Sequence, residues 1–230
     1  LPNLMQDPDY LNPHAMGSMT NGTPADADGN PVFFLCPKSF KEAKNDGERA
    51  VWAYREAMKC SNDNAFLGDN ALHALAIFYE PLYGVETLTN RGYFRSPNNE
   101  KALLSNVLLL EKLEDGETIV QLATGIKRFK LPDECNPILL WKQAVDINEQ
   151  GGAFYPDAYI RLARIYENRH QFENALVWWN KLLESVKQQE EKSKQKQTHF
   201  MELAQSSINQ ITGNWCRIDD VRKQIAGEMG

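Results

Sequence analysis

The sequence predicts an all-α fold, a series of stacked antiparallel helix pairs behind an irregular N-terminal arm. Three observations carry this expectation. Residues 157–184 hold two amphipathic helical patterns joined by a polar turn at 167–171. Tyr159, Leu162, Ala163 and Tyr166 stripe the first, and Phe172, Ala175, Leu176, Trp179, Leu182 and Leu183 stripe the second. Steps of three and four put each set on one helical face. Neither helix buries its stripe alone, so each has to pack on the other and on neighbours. Finally, the spacings recur. Ala50-x3-Tyr54-x2-Ala57, Ala102-x3-Asn106-x2-Leu109 and Pro137-x3-Trp141-x2-Ala144 repeat Ala175-x3-Trp179-x2-Leu182. Leu75-Ala76-x2-Tyr79 and Leu122-Ala123-x2-Ile126 repeat Leu162-Ala163-x2-Tyr166.

Composition sets outer limits. The chain has 230 residues, 42% apolar and 24% charged, which is enough for a continuous core. Its formal net charge of -6 argues against a nucleic-acid binder, which carries a basic surplus. The longest apolar run, around 102–110, is broken by Ser105 and Asn106, and no membrane-spanning segment is expected. Cys36, Cys60, Cys135 and Cys216 permit two disulfides in three pairings, or stand as small buried residues. None forms a C-x-x-C pair of the kind that holds zinc.

Taken in order, residues 1–37 form an acidic arm without Lys or Arg and without helical period. Leu1 rather than Met opens it, and 15–19 resemble a vector remnant, so 1–19 are set aside from the fold. Residues 32–35 form an apolar run expected either as a strand-like arm or as a plug on the first helices. The helical domain is expected over 38–230. Ser39 opens it, with a break at 45–47. Asp69 or Asn70 is expected to cap a helix striped by Leu72, Leu75, Ala76 and Tyr79, ended by Pro81 and Gly84. Residues 82–97 read as an insertion, and helices follow at about 96–113 and 118–129. Pro137 suits the first turn of the next helix, which Gly151-Gly152 closes. After Glu184 the polar stretch extends the helix and turns. A helix at 200–211 ends at Gly213, and a short one follows at 218–227.

These paired patterns resemble the tetratricopeptide repeat and its Sel1-like relatives, whose repeat runs aromatic, Leu-Gly, aromatic, then Ala and Phe. Residues 157–184 carry nearly all of it, with Ala163 at the usual Gly. The likeness covers about residues 50–184, with 200–228 as a capping pair. It implies a right-handed superhelix, a solenoid whose first helices line a concave face that binds proteins or peptides. Carried over by position, that face includes Asn70, His73, Ile77, Thr124, Lys127, Arg128, Ile160, Arg161, Arg164 and Glu167. Lys127, Arg128, Arg161 and Arg164 would give it a basic patch, attractive to an acidic or mixed-charge partner surface. The alternative is that these cations pair with acids nearby, such as Glu167. Sel1-like relatives in bacteria include adaptors and immunity proteins against secreted toxins, and such a role is the expectation here. Periplasm and cytoplasm both accommodate it.

No catalytic set stands out. His14, His73, His170 and His199 lie far apart and in no metal-binding spacing. Asp26-Ala27-Asp28-Gly29-Asn30 starts like a calcium loop but lacks the closing Glu, so a turn is expected. No cofactor, no metal and no catalytic residue is assigned, and binding rather than catalysis is the expected function. The competing expectation is a helical hydrolase whose carboxylates converge only in three dimensions. A third keeps the interaction inside the chain, with the acidic arm folded over the basic patch.

Overall fold

The structure, a computed structural model, describes residues 23–28, 30–59, 65–84, 110–122, 125–150, 154–193 and 197–228. It is mostly helical, as expected. The chain divides into two compact units, Leu1–Ala153 and Phe154–Gly230.

The first unit is built around a central helix. α1 (Asp46–Lys59) and α3 (Pro137–Glu149) each pack against α2 (Ala65–Tyr83). The expected break before α1 is its cap. The Asn45 side chain accepts the Glu48 N–H at 2.8 Å, and the Glu48 carboxylate reaches back to the Lys44 N–H at 2.7 Å. This reciprocal arrangement satisfies donors that a helix start leaves open. In α2 the stripe Leu72, Leu75, Ala76 and Tyr79 is buried as expected, and Leu82 and Tyr83 extend it. The helix begins at Ala65, earlier than the expected cap. Its buried face continues back to Gly68, so Asp69 lies buried inside the helix instead of capping it. Pro81 sits in the last turn, and Gly84 N–H closes on Glu80 O at 2.7 Å.

Of the apolar run 32–35, Phe34 is the residue that plugs these helices, while Leu35 is exposed. Phe34 is 4% exposed. A Cβ added to Gly47 of α1 would lie only 2.5 Å from the Phe34 ring, so that position requires glycine while Phe34 sits there. Two tyrosines of α2 hold the backbone of this strap. Tyr79 Oη donates to Phe34 O at 2.6 Å, and Tyr83 Oη donates to Val32 O at 2.9 Å while accepting Phe34 N–H at 3.0 Å. Upstream, Asp26 folds a turn by accepting the amides of Asp28 and Asn30 at 3.0 and 2.7 Å, as expected of that sequence.

The helix expected at 118–129 is instead an antiparallel hairpin, β1 (Glu117–Leu122) with β2 (Gly125–Lys130), in register from Glu117↔Lys130 to Leu122↔Gly125. Thr118, Ile119, Val120, Ile126 and Phe129 favour a pleated strand over a helix. Thr118 Oγ1 donates to Tyr83 O, tying β1 to the end of α2, and Phe33 meets Phe129 edge to face at 5.8 Å. The Leu122-Ala123-x2-Ile126 match therefore does not lie on a helix. Of the helix expected at 96–113, only 110–113 fall among the described residues, where Leu110–Lys112 form a 3-10 turn.

α3 starts where Pro137 suggested. Buried Asn136 accepts Ile138 N–H at 2.9 Å and donates to Asp115 O at 2.9 Å, so one side chain caps the helix and anchors the turn before β1. Gly151 and Gly152 lie outside the described residues; α3 itself ends at Glu149. Cys36 and Cys135 are free thiols.

The second unit stacks α4 (Pro156–Asn168), α5 (Phe172–Ser193) and α6 (Thr198–Glu228), with α5 packed against both others. The α4–α5 turn falls where expected. His170 takes a left-handed backbone, φ 56. Its N–H reaches Glu167 O at 2.9 Å, and Gln171 N–H reaches Tyr166 O at 2.8 Å, a Schellman closure. α6 is one helix and not two. Gly213 does not end it, since an exposed glycine costs a helix only about 1 kcal/mol relative to alanine.

Candidate functional site

The two units contain the same local device. Leu75-Ala76-x2-Tyr79-Glu80 of α2 and Leu162-Ala163-x2-Tyr166-Glu167 of α4 are identical at every named position. The Leu, Ala and Tyr of each set are buried, because their spacing faces the partner helix. The Glu that follows the Tyr receives an indole N–H from the next helix of the pair. Trp141 Nε1 of α3 donates to Glu80 Oε2 at 3.1 Å, and Trp179 Nε1 of α5 donates to Glu167 Oε1 at 2.6 Å. A buried indole needs an acceptor and a buried carboxylate needs donors, so each bond satisfies two costly groups at once.

The opposite faces of α2 and α4 are less buried than those carrying the device. On α2 these carry Asn70, Ala74 and Ile77, with His73 at the border towards α3. Asn70 is half-buried, His73 sets its ring edge-on to Trp141 at 5.4 Å, and Ile77 is 47% exposed. On α4 they carry Asp157, Arg161 and Arg164, all exposed.

Several expected site residues are placed differently. Ile160 is 7% exposed and belongs to the core, because the buried stripe of α4 is wide enough to include it. Glu167 is half-buried and accepts the Trp179 bond, so it serves the helix pair first. Burial raises its pKa, while the Trp179 bond and the Arg164 charge pull the other way. Lys127 and Arg128 lie on β2, not on a first helix. Arg128 pairs with Glu117 and donates to Lys112 O at 3.0 Å. The Glu117 pairing holds that carboxyl below its ordinary value. Thr124 lies outside the described residues. The four cations expected along first helices lining one concave face thus divide between a strand of the first unit and a helix of the second.

Helical periodicity alone does not single out Glu80 and Trp141 as a pair. The signal that does is the Glu following each Leu-Ala-x2-Tyr, matched to a Trp on the next helix of the pair.

Two thiols and two phenols of the first unit are raised by burial. Cys135 is pushed up to about 12, chiefly by desolvation, and Cys36, Tyr79 and Tyr83 are raised for the same first reason. A nucleophilic cysteine needs the opposite shift. Among the described residues no three His, Cys, Asp or Glu side chains gather as a metal site, and no helix is long and apolar enough to cross a membrane. No family model, curated protein or solved structure matches the chain.

Proposed function

We propose that this chain is a protein-binding module of the helical-repeat type, resembling tetratricopeptide and Sel1-like repeats, and that its partner docks on the outward faces of the first helices. The observation that carries this reading is the duplicated device. Two helix pairs share Leu-Ala-x2-Tyr-Glu on the first helix and a Trp on the second that bonds the Glu. Duplicated pairs that bury one face identically leave the other face to vary, and that is where recognition evolves. The face of α4, with Arg161 and Arg164 exposed, suits an acidic or mixed-charge protein segment. That of α2, with Asn70, His73 and Ile77, suits a less charged one. An adaptor, or an immunity protein that occupies a secreted toxin, is the more specific form of the same role.

The test starts from affinity capture in the native host followed by mass spectrometry, then isolation of the partner. The Arg161→Glu/Arg164→Glu variant is expected to bind it at least about tenfold more weakly, with a shallower salt dependence. Unchanged affinity and unchanged salt dependence would remove α4 from the binding surface.

A further inference from the structure

We infer that the outer edge of β2 is a separate recognition surface, on which an extended acidic segment of a protein partner adds as a third strand. The inference stands apart from the helical faces and does not rest on them.

Among the described residues the sheet consists of β1 and β2 alone. β1 is buried on both of its faces. Thr118 and Ile119 point to opposite faces and are both fully buried, and Thr118 is bonded to the end of α2. β2 is the more exposed strand, with Lys127, Arg128 and Phe129 half-buried and Lys130 exposed.

The register says which backbone groups turn outward. Leu131 N–H donates to Gly116 O at 2.8 Å, the rung next to Glu117↔Lys130. Bonded and non-bonded rungs alternate in an antiparallel ladder. Phe129 and Lys127 therefore bond inward to Thr118 and Val120. The N–H and C=O groups of Ile126, Arg128 and Lys130 point away from β1, in the geometry that receives another strand.

Charge selects the occupant. Lys127, Arg128 and Lys130 crowd the last residues of β2 in a chain of net charge -6. A second copy of β2 laid on this edge would set cation against cation, which is unfavourable. Lysine on an edge strand blocks pairing with its like in this way, and the same side chains attract a strand bearing carboxylates. Arg128 is tied to Glu117 and holds the hairpin, so the test leaves it in place and changes the charge of Lys127 and Lys130 on either side of it.

The test is amide exchange by NMR on the full chain, with a blocked peptide of alternating Glu and Val as probe and its Lys–Val counterpart as control. With millimolar Glu–Val peptide the amides of Ile126, Arg128 and Lys130 are expected to exchange at least about tenfold more slowly, with no change for the Lys–Val peptide. Lys127→Glu/Lys130→Glu is expected to reverse that preference, and Lys127→Gln/Lys130→Gln to abolish it. Three results would overturn the inference. The three amides are already as protected in the chain alone as that of Phe129. The Glu–Val peptide leaves them unchanged. Both peptides protect them equally.

Discussion

Trp179 donates its indole N–H to the Glu167 carboxylate across the α4–α5 pair at 2.6 Å, and Trp141 does the same to Glu80 across α2–α3 at 3.1 Å. Each bond joins the residue after a buried tyrosine to the largest buried side chain of the neighbouring helix. It fixes the axial register of the pair, since a shift of one residue would leave both polar groups buried without each other.

Glu167 gives the second unit a specific response to pH. Burial raises its folded pKa above the ordinary 4.5. The protonated form therefore favours the fold. This contribution is complete below the unfolded value and is lost as pH rises through the folded one. Glu167→Gln keeps an oxygen for Trp179 and has no charge to bury, so the variant is expected to retain above that pH the stability the natural chain loses. Urea titrations of both proteins between acid and neutral pH measure the difference. Parallel curves would remove Glu167 from the account. Trp179→Phe is expected to cost about 1–3 kcal/mol, the usual penalty for leaving a buried acceptor without its donor.

Glu117 acts with the opposite sign. Its bond to Arg128 lowers the folded pKa, so its stabilisation is present above the unfolded value and disappears as pH falls through the folded one. Glu117→Gln is expected to remove this acid sensitivity from the first unit. Amide protection of β1 and β2 across the acid range reports it, and an equal loss of protection in both proteins would count against the pairing.

His170 is a non-glycine residue in left-handed backbone, at the position where Schellman closures favour glycine. Its ring stacks on Phe172 at 5.8 Å, which offsets part of the strain. His170→Gly is expected to change stability by no more than about 1 kcal/mol, in the stabilising direction. His170→Val, β-branched and unable to adopt this backbone cheaply, is expected to destabilise by about 1–2 kcal/mol. Thermal unfolding of the two variants gives the ordering, and a reversed ordering would contradict the turn geometry.

Phe34 and Gly47 are coupled by direct contact. Phe34→Ala is expected to cost about 3–5 kcal/mol through the cavity it leaves. Gly47→Ala alone is expected to cost about 1–3 kcal/mol by displacing the ring. The double variant should be less destabilised than the sum, because the added methyl occupies space the ring has vacated. Strict additivity in denaturant titrations would mean the two do not touch.

Much of the second unit is legible in the sequence. The stripes at 157–184 locate α4, α5 and their turn, because a buried face at helical spacing is a strong signal and the polar 167–171 stretch interrupts it. Asn136-Pro137 marks the start of α3 for a comparably local reason. The hairpin escapes a periodicity reading because Leu122-Ala123-x2-Ile126 happens to fit a helical spacing. The β-branched run Thr118-Ile119-Val120 points the other way, and tertiary packing against Tyr83 decides. That difference moves Lys127 and Arg128 off the expected face. Arg161 and Arg164 are exposed because they lie opposite Leu162, Ala163 and Tyr166 on a helix of regular period. Ile160 does not, since periodicity gives the centre of a buried stripe but not its width. Gly213 misleads about α6 for a different reason. A lone glycine stops a helix only when nothing else sustains it, and Ala204 and Ile211 are buried in that helix before Gly213.

The two helix pairs differ most in what joins them. Residues 169–171 connect α4 to α5, whereas residues 84–136, hairpin included, lie between α2 and α3. Closing the longer connection costs entropy that grows with the logarithm of its length, about 2–3 kcal/mol more than the short turn by that scaling. The α4–α5 pair is made from near neighbours in the chain and should assemble early, while Trp141 meets Glu80 only after a long segment has been ordered. Pulse-labelled hydrogen exchange during refolding is expected to protect α4 and α5 before α2 and α3. The same bond would then be a first event in one unit and a last event in the other.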